Sequence, residues 1–309
     1  MSKENFLKIK DILNVQKSFI KEKNIYRNQN IKDYCSNFGL QWNKFSKTQY
    51  DSHTGYPLTK KRLIKASEWK LESLKDKLVI EIGSGAGRFT EILLETGAYV
   101  VSNEISDAIH SNVSNNDSNK IIFIKSSLYD LEFLNGIFDY VLCYGVAQHT
   151  PDVIRTYNSC CNFAKQGGNI SIDHYIKIYH PSPFYTPKHI WRPITKRMNP
   201  ELLLKIISFY IPYYFPFDTF LKTKLPIILG KLIRGCIPIP CWNYSGENNF
   251  PKDKEKLIEM AILDTFDALG AKFDKPLRPK KLEKIASKLK LNKFDVKKGG
   301  TGLVLNAVK

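Results

Sequence analysis

Residues 78–90 read LVIEIGSGAGRFT, and few folds accommodate that order. Leu78, Val79, Ile80 and Ile82 form a short apolar run, the composition of a strand buried on both faces of a parallel sheet. The run breaks into Gly83-Ser84-Gly85-Ala86-Gly87, after which Phe89, Ile92 and Leu93 recur at helical spacing. Strand, glycine turn and helix together bring backbone N–H groups and a helix N-terminus up to a ligand. Glycine permits positive φ and removes the Cβ that would hold the ligand off. A dinucleotide fingerprint wants G-x-G-x-x-G. Here the third glycine comes one residue early, at Gly87, and Arg88 stands in the expected place. Glu81, two residues before Gly83, is also foreign to that fingerprint.

The pattern then alternates as a doubly wound sheet should. Ala98–Glu104 reads as a second strand ending in an acid, Ile121–Ile124 as a third and Phe138–Cys143 as a fourth. Ile154–Ala164 is helical in spacing, and Asn169–Tyr175 is a fifth strand after the Gly167-Gly168 turn. Pro279–Leu289 is an amphipathic helix, and residues 294–296 and 303–306 form a terminal hairpin around Gly299-Gly300-Thr301-Gly302. Glu104 lies seventeen residues beyond Gly87, where a carboxylate can accept hydrogen bonds from both hydroxyls of a ribose.

Glu-x-Gly-x-Gly-x-Gly at the end of a first strand resembles motif I of the class I S-adenosylmethionine (SAM) methyltransferases. Phe138-Asp139-Tyr140-Val141, followed by His149-Thr150-Pro151-Asp152, resembles their FDxV…HxPD block. Lys165-Gln166-Gly167-Gly168 resembles their K-P-G-G. The match runs in order from about Leu78 to Asp173. It implies a Rossmann-like α/β sheet, mostly parallel with an antiparallel terminal hairpin, and SAM as cofactor. It also implies site roles. Glu81, Gly83 and Gly85 would cradle the methionine end, with Ser84 and Gly87 in the same turn. Glu104 and Ile105 would take the ribose and adenine, and the Tyr144–Gly145 backbone would lie near the sulfonium. Family members often carry Asp after strand three for the adenine amino group. Here Ser127 stands there, leaving the Ser127 hydroxyl, the Leu128 N–H or Asp130 for that contact.

An unactivated hydroxyl acceptor needs a base. His149 in the strand-four loop is one candidate, and His174 at the end of strand five, oriented by Asp173, is another. Asp264 and Asp267, one helical turn apart, could orient sugar hydroxyls, serve as base, or simply form a salt bridge within the cap. Phe38-Gly39-Leu40-Gln41-Trp42, Asp51-Ser52 and Leu263–Leu269 resemble a bacterial methyltransferase subgroup tied to surface polysaccharides. That points to O-methylation of a glycan, glycolipid or envelope precursor. A quinone or small metabolite is the alternative acceptor, since the HTPD-type loop occurs there too. An RNA methyltransferase and a non-catalytic SAM-binding subunit are rivals. No N-P-P-Y-type motif or Arg-rich stripe supports RNA, and nucleic acid is not expected as a partner.

The domain plan that follows is a basic leader and lid at 1–77 and a SAM-binding core at 78–177. An inserted cap or substrate region covers 178–277, and 278–309 completes the core. Residues 1–30 read as a poorly packed leader. Thr59 is expected to cap a helix over 60–72. The insertion's most apolar run, Ile206–Phe217, is broken by Pro212 and Pro216 and is too short to span a bilayer. It reads as the core of a helical cap, or as a surface touching membrane or a lipid-bearing substrate. The net charge of +17 is carried with 39 Lys against 8 Arg, so it reflects codon bias as readily as an anionic partner. The six cysteines form no C-x-x-C pair, so no metal is expected. Their core-like positions fit a reducing compartment, and residues 1–17 are too charged for a signal peptide. The expected location is cytoplasmic, peripheral to the inner membrane face.

Overall fold

The computed structural model describes residues 2–177, 187–248, 250–299 and 302–309. In chain order the elements are α1 (Ser2–Val15), β1 (Phe19–Glu22), β2 (Ile25–Asn28), α2 (Ser36–Lys44), α3 (Asp51–Thr54) and α4 (Leu58–Ser67). There follow β3 (Leu78–Ile82), α5 (Arg88–Glu95), β4 (Tyr99–Glu104), α6 (Ile109–Asn115), β5 (Ile121–Lys125), β6 (Phe138–Cys143), α7 (Val153–Phe163) and β7 (Ala164–Tyr175). The chain continues through α8 (Lys188–Thr195), α9 (Pro200–Thr223), α10 (Ile227–Cys236), α11 (Lys254–Gly270), α12 (Pro279–Ala286), β8 (Lys293–Gly299) and β9 (Gly302–Val308). The expected beginning of the insertion, 178–186, and hairpin residues Gly300 and Thr301 lie outside the described residues.

The chain divides into two units. The first is built from Met1–Tyr34, Thr59–Lys177 and Phe273–Lys309, the second from Cys35–Leu58 and Ile178–Lys272. All described strands lie in the first unit and form one sheet, ordered β1-β2-β5-β4-β3-β6-β7-β9-β8. The central pairs from β2–β5 through β6–β7 are parallel, and β9 pairs antiparallel with both β7 and β8. Successive strand residues face opposite sides, so the sheet feeds two cores. Leu78, Ile80 and Ile82 face one cluster with Phe6, Ile9 and Leu13 of α1, Tyr157 of α7 and Leu282 of α12. Val79 faces the other, with Leu63 of α4, Phe89 and Ile92 of α5 and Ile109 of α6.

Three expectations change. Residues 1–30 are not a loose leader. The Phe6-Ile9-Leu13 stripe of α1 is buried in the core, and the β1–β2 hairpin extends the sheet beyond β5. The helix expected over 60–72 runs instead over Leu58–Ser67, with Thr59 inside it; Glu68 then turns to φ +59° and ends it. Residues 273–277 belong with the first unit, because Lys177 N donates to Leu277 O (2.8 Å) and Leu277 N to Tyr175 O (2.9 Å).

The second unit is helical. Its core joins Phe45 with Leu203, Ile207, Ile211 and Phe215 of α9 and Leu263 and Phe266 of α11. Pro212 and Pro216 interrupt the apolar run in sequence but not the helix, and α9 continues through both for 24 residues. Each proline removes a backbone donor and crowds the preceding turn. The buried row Ile207, Ile211 and Phe215, packed against α11, outweighs that cost.

Candidate active site

In the first unit β4 lies on one side of β3 and β6 on the other, so the strand order reverses between β3 and β6. Ligands bind open α/β sheets at such a reversal, outside the carboxyl ends of the strands. The loops after β3 and β6 meet there. Gly83, Gly85 and Gly87 all have positive φ, at 67°, 56° and 96°. Two of them answer to the protein itself. A Cβ at Gly83 would lie 2.3 Å from Val146 Cγ2 in the loop after β6, and one at Gly87 would lie 2.1 Å from Asn112 Oδ1 of α6.

Glu104 closes the floor of the turn. Its Oε2 accepts from Gly85 N (2.9 Å). Its Oε1 accepts from Ile105 N (3.0 Å), Ser106 N (2.9 Å) and Ser106 Oγ (2.8 Å). Burial pushes this carboxyl above its ordinary value, while the donors from Ser106, Gly85 and Ile105 pull the other way. A carboxylate oxygen has two lone pairs, so Oε2 keeps capacity for a ligand hydroxyl beside the Gly85 N–H.

Glu81 shares the Val79 face of β3 and therefore points at α5. Its Oε2 accepts from Thr90 Oγ1 (2.5 Å), and burial pushes its carboxyl up to about 8. Asn112 Nδ2 ties Thr90 Oγ1 (3.0 Å) to Ser102 Oγ (2.9 Å). Glu81 thus anchors the glycine turn to the helix behind it. Ser127 Oγ accepts from Tyr129 N (3.3 Å) at the start of a 3-10 turn, with Leu128 buried behind it. Asp130 accepts from Asn28 Nδ2 (3.1 Å) of β2, and burial raises its carboxyl. Tyr144 points into the sheet, its hydroxyl 2.6 Å from Ser171 Oγ and its ring edge-on to Phe89.

The two histidines differ. His149 Nδ1 lies 2.8 Å from Phe273 O. A nitrogen facing a carbonyl must carry the proton, which leaves Nε2 as the proton-accepting nitrogen of neutral His149. His174 Nε2 lies 2.8 Å from Lys275 O, so its accepting nitrogen is Nδ1, which faces Tyr157 Oη at 3.3 Å in the core. His174 is fully buried, and burial lowers its pKa. The expectation that Asp173 orients His174 is corrected here. Adjacent strand residues point to opposite faces, and His174 goes to α7 while Asp173 goes to α4. Asp173 accepts from Arg62 (2.5 Å) and from Gly145 N (2.5 Å). Asp264 and Asp267 lie on α11 of the second unit, where Asp264 accepts from the Tyr244 hydroxyl and from Gln49 Nε2 (3.4 Å).

Sequence reasoning passed over Arg62 and Gln148. Arg62 is one base in a lysine-rich stretch, and nothing local marks it. Its guanidinium lies near the Phe89 and Tyr144 rings as well as Asp173. Gln148 is fully buried, and both its amide atoms lack a hydrogen-bond partner among the described residues, as does buried Ser84 Oγ. Buried polar atoms are costly to leave unmatched. Ser84 in the turn after β3 and Gln148 in the loop after β6 therefore fit a polar ligand such as the aminoacyl end of SAM.

Residues 80–172 match the family model described as a methyltransferase domain. The glycine turn after β3, Glu104 and the loop after β6 all lie inside the matched stretch. Residues 80–172 are a class I SAM-dependent methyltransferase domain. SAM is the cofactor of that family, and it supplies a methyl group activated on a sulfonium. The ubiquinone biosynthesis O-methyltransferase of Coxiella burnetii is 29% identical to this chain over 101 residues, 32% of this chain and 43% of that protein. The protein of the same name from Nitrosospira multiformis is 31% identical over 102 residues, 31% of this chain and 41% of that protein. The chain thus spans about two-fifths of the length of these curated relatives. Among solved structures, a candidate SAM-dependent methyltransferase from Methanococcus maripaludis aligns with a TM-score of 0.47 and 12% identity, over 91% of this chain and 96% of that one.

Proposed function

We propose that this protein transfers the methyl group of SAM to a hydroxyl on a lipid-soluble or lipid-linked acceptor. The observation that carries the donor half is the Glu104 carboxylate held on the Gly85 N–H at the strand reversal. Glu104 would take the ribose, and Ser84 and Gln148 the aminoacyl end. Glu81 would set the turn, Ile105, Ser127 and Leu128 would lie along the adenine, and the Tyr144–Gly145 backbone would face the sulfonium. Asp173 and Arg62 would hold the Gly145 peptide in place. His149, with Nε2 as its accepting nitrogen, would remove the hydroxyl proton as the C–O bond forms. Asp264 and Asp267 of α11 are the second unit's candidates for binding hydroxyls.

The names of the curated relatives favour a hydroxylated quinone as acceptor. The residues that resemble the polysaccharide-linked subgroup, Phe38–Trp42 and Leu263–Leu269, favour a glycan or glycolipid. A transfer assay with methyl-labelled SAM, offering a hydroxylated polyprenyl quinone and a lipid-linked glycan side by side, separates the two. Label in neither, with S-adenosylhomocysteine bound tightly, would leave a SAM-binding subunit without turnover. Glu104→Ala should weaken S-adenosylhomocysteine by about 1.5–3 kcal/mol in calorimetry, as hydrogen bonds to a charged group do. Tight binding of NAD instead would remove the whole reading.

A further inference from the structure

We propose that the α9–α10 surface of the second unit docks on an anionic lipid bilayer, lying in the interface without crossing it. Helix α9 is apolar on two opposite sides. One side, with Ile207, Ile211 and Phe215, fills the core of the unit. The other carries Leu202, Ile206, Phe209, Tyr213, Phe217 and Phe220, all exposed. Their steps of four, three, four, four and three residues put all six on one stripe. Phe209 is 72% exposed and Tyr213 76%.

Helix α10 adds to this surface. Gly230 is its one fully buried position, where a Cβ would lie 2.1 Å from Leu221 O, so α10 sits hard against the end of α9. Ile227 and Ile228 are 73% and 76% exposed, and Leu229 and Leu232 are exposed as well. Isolated exposed apolar residues are ordinary, but a continuous stripe marks a partner.

Charge selects the partner. Between residues 187 and 240 the exposed bases are Lys196, Arg197, Lys205, Lys224 and Lys231, and the exposed acid is Glu201. Lys205 flanks the stripe, three residues after Leu202 and four before Phe209. Asp218, the other acid of the segment, is buried and bonded to Arg234 (2.7 Å). Aromatic and aliphatic side chains with a cationic border suit the boundary of anionic headgroups and acyl chains. No described helix is long and apolar enough to cross a membrane, so the helices would lie along the surface.

The test is sedimentation of the full chain with vesicles of equal parts phosphatidylglycerol and phosphatidylcholine, compared with phosphatidylcholine alone. The parent should bind the anionic vesicles, and added salt should weaken binding. Phe209→Glu/Tyr213→Glu should reduce partitioning about tenfold or more, with S-adenosylhomocysteine affinity kept as the folding control. Ile227→Glu/Ile228→Glu is the second variant and should do the same. Absence of vesicle binding by the parent at low salt would overturn the proposal, as would unchanged binding by both variants. A parent that is dimeric, ignores vesicles and becomes monomeric in either variant would also overturn it, giving the face to a second copy of the chain.

Discussion

In the first unit, carboxylates lie inside and are held by partners. Asp173 has no exposed surface and sits between Arg62 and the Gly145 N–H; Glu104 is buried under four donors. In the second unit, aromatic and aliphatic side chains lie outside, along α9 and α10. The two inversions point to different things. A protein bears the desolvation of buried carboxylates where their placement sets a site. It bears exposed apolar surface where something else is to cover it. Buried polarity in one unit thus argues for small-molecule chemistry, and exposed apolarity in the other for a surface.

The largest expected effect tests the buried side of this contrast. Arg62→Met removes the guanidinium from beside buried Asp173 and should cost about 3–5 kcal/mol in urea unfolding, with Arg62→Met/Asp173→Asn recovering most of it. A loss under about 1 kcal/mol would mean that the pair behaves as a surface ion pair.

Next is the division between the histidines. His149→Ala should lower turnover about a hundredfold, with S-adenosylhomocysteine affinity unchanged. His174→Ala should cost stability instead, since it opens the core at Tyr157. The opposite pattern of turnover loss would exchange their roles.

Glu81 gives a slope. Its folded carboxyl is raised from 4.5 to about 8 by burial. Between those values the folded chain keeps a proton that the unfolded chain has lost. Stability therefore falls as pH rises through that window, by up to about 1.4 kcal/mol per pH unit from this group. Glu81→Gln should flatten the fall in a melting series at pH 5–8. An unchanged slope would place the titrating group elsewhere.

The smallest effect belongs to the exposed stripe. Phe209→Ser should alter unfolding free energy by no more than about 0.5 kcal/mol, large as the lost side chain is. A loss of the size expected for buried Phe215 would show that the stripe is already covered in the free protein.

Most of the sheet was legible because its central strands are apolar runs separated by turns and helical spacing. The hairpin before residue 30 was not, since strands of four residues, FIKE and IYRN, are too short to carry a periodic signal. The stripe of α1 was visible in Phe6, Ile9 and Leu13 but was outweighed by its charges. Helix α9 hid behind two prolines, because only the packing of its buried side shows that the helix survives them. The glycine turn and Glu104 stood out by spacing. The difference between His149 and His174 could not, as it depends on which backbone carbonyl, Phe273 or Lys275, reaches each ring from more than a hundred residues away. Arg62 has the same cause, because its partner lies 111 residues on.

The placement of β9 has a consequence for how the chain is made. The strand at Gly302–Val308 slots between β7 and β8 and pairs with Asn169–Tyr175 along its whole length. As the ribosome adds residues 176–301, the outer flank of β7 shows a row of unclaimed N–H and C=O groups. Such a flank recruits any passing strand. The nascent chain therefore spends the synthesis of Ile178–Lys272, the larger segment of its helical unit, with an adhesive border open. Its solubility in the cell should depend on chaperones that shelter this border until translation reaches the last strand.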